Sequence, residues 1–97
     1  MDVSEWWVLV ERIGEPCKVL ETHGVGAREA ADEVAARVAR EFKPRVMRVV
    51  RQRLVYRRPE GGYLVRVEGM TGEDYFRVSV VELVARLDGK GNAVTSA

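Results

Sequence analysis

Between Ala27 and Phe42 the apolar residues return at spacings of three and four, the longest run of that period in the 97-residue chain. Ala27, Ala31, Val34, Val38 and Phe42 fall on one side of a helical wheel, with Ala30 and Ala35 beside them. Arg28, Glu29, Asp32, Glu33, Arg37 and Arg40 take the other side, so the segment predicts one amphipathic helix. Glu33 and Arg37 are spaced to pair along its exposed face. Lys43-Pro44 ends it, because proline disfavours helical geometry in the residue before it. A helix with one apolar stripe needs a surface to lay that stripe on, and the flanking sequence predicts a sheet.

Upstream, Glu5-Trp6-Trp7-Val8-Leu9-Val10-Glu11-Arg12-Ile13 is rich in aromatic and β-branched residues and reads as a strand. Gly14-Glu15-Pro16 breaks it, and Cys17–Thr22 reads as a shorter second strand of an antiparallel hairpin, with Gly24 and Gly26 interrupting the pattern. Downstream, Arg45–Tyr56 and Tyr63–Glu68 read as strands joined by a Pro59-Glu60-Gly61-Gly62 turn. A turn at Thr71-Gly72-Glu73-Asp74 and a strand at Tyr75–Val78 complete a three-stranded meander. Ser79-Val80-Val81-Glu82 matches a capping box, and Val80, Leu83, Val84 and Leu87 follow at helical spacing, so a second helix is expected to run to about Gly89. The expected fold is α+β: a two-layer, mostly antiparallel sheet in the order β-β-α-β-β-β-α with both helices on one face. Residues 1–90 are expected to form one small domain and residues 91–97 a disordered C-terminal tail.

The expected order of the last five elements, α-β-β-β-α, is similar to that of double-stranded-RNA-binding domains. That family opens its last helix with lysines, whereas here the position reads Ser79-Val80-Val81-Glu82, so the similarity stops at order.

Composition excludes some classes. With 46% hydrophobic and 32% charged residues the chain is too apolar for intrinsic disorder, and no apolar run approaches the roughly 18 residues of a spanning helix. The acidic, polar start Met1-Asp2-Val3-Ser4-Glu5 is unlike a secretion signal, which predicts a cytoplasmic protein with no membrane partner. The single cysteine, Cys17, precludes an intramolecular disulfide.

No catalytic set can be assembled. Cys17 and His23 stand six residues apart, about 20 Å along a strand at about 3.3 Å per residue, too far for a nucleophile–base pair. One His and one Cys with Glu15 and Glu21 nearby match no zinc spacing. Gly24-Val25-Gly26-Ala27 lacks the lysine and serine or threonine of a phosphate loop, and its glycines read as a tight turn before the helix. Glu29, Asp32, Glu33, Glu73 and Asp74 read as solvated surface carboxylates. The sequence therefore predicts a protein that is not an enzyme, with no cofactor and no metal.

Charge is segregated. Residues 1–42 carry five basic and nine acidic side chains, a net of −4; residues 43–58 carry seven basic and none acidic, +7; residues 59–97 return to −2. With regular pairing Arg45, Arg51, Arg53 and Arg57 share one strand face, while Arg48 lies on the other with Val50, Leu54 and Tyr56, and Lys43 and Arg58 extend the patch. Trp6 and Trp7, adjacent on a strand, point to opposite faces, so one enters the core and the other lies on the uncovered face. The leading expectation is an interaction or accessory module whose uncovered sheet face, bearing one tryptophan and the arginine row, contacts a protein, either a second copy in a homodimer or a larger partner. The second expectation is nucleic-acid binding through residues 43–58, with arginine forks on phosphates and Tyr56 available to stack.

Overall fold

The computed structural model describes residues 5–14, 16–43 and 49–94. β1 (Glu5–Arg12) pairs antiparallel with β2 (Lys18–Gly26) on one side. After the helix α1 (Arg28–Glu41), the meander β3 (Val50–Arg57), β4 (Tyr63–Gly69) and β5 (Glu73–Leu83) runs antiparallel, and β5 closes on the free side of β1. The result is a two-layer α+β fold, one five-stranded antiparallel sheet in the order β2-β1-β5-β4-β3 with α1 on one face. β2 and β3 are the two edges, so the chain between them must cross the whole sheet. Fourteen helical residues span about 21 Å, and four inter-strand steps span about 19 Å. The one long amphipathic segment is therefore matched to the crossing.

The second helix expected from Ser79 onward is a strand instead. β5 runs unbroken from Glu73 to Leu83, and all eight residues of β1 pair with its last eight, Phe76 to Leu83. Val78, Val80 and Val81 carry β-branched side chains, which cost little in a strand and lose rotamer freedom in a helix. Val78 and Val80 face α1, Val78 fully buried and Val80 packed against the core. Ser79, the expected helix cap, sits opposite Leu9 as a strand residue. With that segment a strand, the order shared with double-stranded-RNA-binding domains is lost as well. Beyond Leu83 a short hairpin follows, with a bridge between Leu87 and Ala93 and a turn in which the Asp88 carboxylate accepts from the Lys90 and Asn92 amides, both at 2.9 Å.

The core is made of small and β-branched residues. Val8, Val10, Val65, Val67, Val78 and Phe76 from the sheet meet Ala31, Ala35 and Ala39 from α1, all fully buried. The three alanines lie four apart and let the helix backbone come close to the sheet, with Val34, Val38 and Phe42 packing at the sides. The Phe42 ring meets Phe76 edge-on at 5.1 Å between centroids, which anchors the C-terminal end of α1.

The glycines at 24 and 26 do not stop the second strand, which extends to Gly26 and takes in His23. Gly24 pairs with Trp7, and a Cβ there would stand 2.9 Å from the indole. Glycine at this position makes room for the tryptophan. Gly26, at φ 104°, turns the chain into Ala27 and the start of α1, as the turn reading expected. At the β3–β4 turn Gly61 and Gly62 both adopt positive φ, and a Cβ on Gly62 would run into the Val78 carbonyl.

Candidate functional site

Strand alternation sorts the sheet residues into two faces. Trp6 lies on the α1 side, packed against the core, with the Arg28 guanidinium 5.0 Å from its ring centroid. Trp7 lies on the open face, its indole across Gly24; its N–H is covered and has no acceptor among the described residues. The division of the two tryptophans expected from the sequence is the one observed, and the register makes Trp7 the outer one.

The arginines divide differently. Arg45 and Arg48 lie outside the described residues. Arg53 and Arg57 pair with Val67 and Tyr63, whose side chains pack into the core, so both arginines belong to the α1 side of β3. Arg53 donates to the Ala39 carbonyl at 3.0 Å and stacks 5.9 Å from the Phe76 ring centroid. It satisfies a carbonyl in the last turn of α1 and places a cation at the negative end of that helix. Burial lowers its pKa from the ordinary arginine value, and the side chain is part of the fold rather than of a surface patch. Arg58 pairs with Glu60 at 2.7 Å across the β3–β4 turn. Arg51 and Arg57 are exposed and have no ion pair or hydrogen-bond partner among the described residues.

The uncovered face therefore does not carry Trp7 together with an arginine row, as the sequence reading had it. A register shift between Val50 and Gln52 also turns Val50 toward the core, away from the open-face residues Leu54 and Tyr56 with which simple alternation grouped it.

On the open face, Trp7 and Leu9 of β1 lie beside Val81 and Ser79 of β5. The next row carries Val19, Glu11, Arg77, Leu64 and Tyr56, one residue from each strand across the sheet. A further row holds Tyr75, Arg66 and Leu54. The charges in this field are paired with one another, across strands and along β4. Arg77 donates to both Glu11 oxygens, at 3.4 and 3.1 Å, and these hydrogen bonds together with the Glu11 charge hold its pKa above the ordinary value. Arg66 bridges Glu68, at 2.8 Å, and Glu73. Arg86 reaches Glu5 at 2.9 Å along the rim. What remains for a partner is apolar, with Tyr56 49%, Val19 51% and Val81 36% exposed.

Among the described residues no group of three or more His, Cys, Asp or Glu side chains is arranged to hold a metal ion. His23 sits in β2 beside Glu21, 3.2 Å away, and Cys17 is exposed just before that strand. The N-terminus of α1 has Glu29 in its first turn, which already places a carboxylate at the positive end of the helix. No helix among the described residues is long and apolar enough to cross a membrane. Compared with known proteins, the chain matches no family model, no curated protein and no solved structure.

Proposed function

We propose that this protein is a small, non-catalytic cytoplasmic interaction module that self-associates through its open sheet face. The observation that carries this reading is the pairing of charge on that face. Arg77 with Glu11, and Arg66 with Glu68 and Glu73, are held in ion pairs within the face, and Trp7, Leu9, Val81, Leu64, Leu54, Tyr56 and Val19 lie between and beside them. The two arginines and three glutamates of these pairs sum to −1, which gives the surface nothing to attract a polyanion. It loses little by meeting a copy of itself, because each ion pair is satisfied before contact, and burial of the apolar side chains drives association.

The test is the solution mass by analytical ultracentrifugation at tens of micromolar. The expected species is a dimer, and Val81→Glu is expected to return it to the monomer with its circular dichroism unchanged. A wild-type monomer at that concentration, or a dimer indifferent to Val81→Glu, sinks the reading.

Nucleic-acid binding through residues 43–58 is the second reading, supported by the exposure of Arg51 and Arg57 without carboxylate partners among the described residues. It is weakened by the engagement of Arg53 with α1 and of Arg58 with Glu60. Salt-dependent binding of labelled RNA or DNA that is lost on reversing both free arginines would favour it.

A further inference from the structure

The edge of β3 is a second surface, which shares only Tyr56 with the open-face residues named above. β3 ends the sheet, and among the described residues no strand pairs with its outer side, so half of its backbone donors and acceptors face away from β4. From Gln52 to Arg57 its pairing with β4 is regular. The opposite edge is less suited to strand addition, since the register of β2 against β1 shifts at two places and irregular pairing twists an edge away from flat addition.

Charge selects what the β3 edge accepts. Arg51 and Arg57, near its two ends, are exposed and without partners among the described residues, and residues 43–58 contain no acid. A second copy of β3 would bring arginine against arginine, and like charges across strands are destabilising. Between the two arginines Val55 on the α1 side and Tyr56 on the open side are 37% and 49% exposed, which leaves apolar surface on both sides of the edge. We propose that β3 accepts an extended acidic peptide segment of another protein as a sixth strand. Its main chain completes the ladder, its carboxylates meet Arg51 and Arg57, and its apolar side chains pack on Val55 and Tyr56.

The probe is a fluorescent peptide of alternating Glu and Val, titrated by anisotropy. Three comparisons accompany it: the same peptide N-methylated at alternate amides, an alternating Lys and Val peptide, and a single-stranded RNA of matching charge. The expected result is saturable binding of the acidic peptide, with slowed amide exchange in Gln52–Arg57. Arg51→Glu combined with Arg57→Glu is expected to weaken it by about tenfold or more. Both side chains are exposed, so this variant should keep its unfolding midpoint, which is checked alongside. The N-methylated and lysine peptides are expected not to bind.

Absence of binding by the acidic peptide overturns the proposal. Equal binding of the N-methylated form does so too, since it would show charge attraction without strand addition. Tighter binding of the RNA would assign the arginines to nucleic acid instead. None of these results depends on the mass of the Val81→Glu variant, so the open-face reading stands or falls separately.

Discussion

Gly24 shows how one residue type answers to a distant side chain. A strand interior ordinarily disfavours glycine, because it contributes no packing and loses the most backbone freedom. Here the Trp7 indole occupies the space that a Cβ at position 24 would need, approaching to 2.9 Å. Gly24→Ala is therefore expected to destabilise by about 1–3 kcal/mol, the usual range for overpacking. In a Trp7→Phe background, where the offending part of the ring is gone, the same substitution should cost far less. Urea unfolding of the four proteins in this cycle measures the difference, and equal costs in the two backgrounds would show that the contact is not the reason for glycine. At this scale the sequence was partly legible. Adjacent tryptophans had to face opposite ways, but which one faced α1 depended on register. Arg53 was not legible as a structural residue, since nothing local reveals that the Ala39 carbonyl, fourteen positions earlier, stands 3.0 Å from its guanidinium.

Among the elements, α1 was the most legible and the stretch after Val78 the least. The helix keeps its period and has a proline just beyond its end, both local signals. Residues 79–88 satisfy a helix-start pattern and a strand pattern at once, and β1 decides between them by offering eight pairing partners to β5. The two assignments differ experimentally. Replacing a helix-capping serine costs about 1 kcal/mol, whereas Ser79→Ala in the middle of β5 is expected to change stability by less than about 0.5 kcal/mol. Chemical denaturation distinguishes these, and a loss at the capping value would count against the strand.

The hairpin beyond β5 carries its own pH dependence. Backbone hydrogen bonds from Asn92 and Lys90 hold the Asp88 carboxyl below its ordinary 3.8. A carboxyl with a depressed folded-state pKa contributes stability above its unfolded value, and that contribution is lost as the pH falls through the folded value. Amide exchange at Lys90 and Asn92 is therefore expected to lose protection as the pH drops below about 4, while the sheet amides stay protected. Unchanged protection of the hairpin at pH 2 would contradict this.

For the molecule as a whole, the core is narrow: alanines from one helix, valines from β1, β4 and β5, and a single large buried ring, Phe76, that meets both Phe42 and Arg53. Phe76→Ala should cost about 3–5 kcal/mol, a large share of the roughly 5–15 kcal/mol available to a domain of this size. Thermal melts followed by circular dichroism are expected to show a variant largely unfolded well below the wild-type transition, and a shift of only a few degrees would mean the core closes over the gap. The sequence by itself determined the elements whose signals are local: the amphipathic helix, the strand-forming runs around it, the glycine turns, and hence the two-layer α+β class. The tertiary structure alone decided that the last segment is a strand, that Trp7 and the free arginines belong to different surfaces, and that Arg53 serves the helix. The physical reason is common to all three. Strand pairing joins residues far apart in the chain, and a shift of one residue in register exchanges the two faces of a strand, so the surfaces on which function would rest appear only once every strand has found its partner.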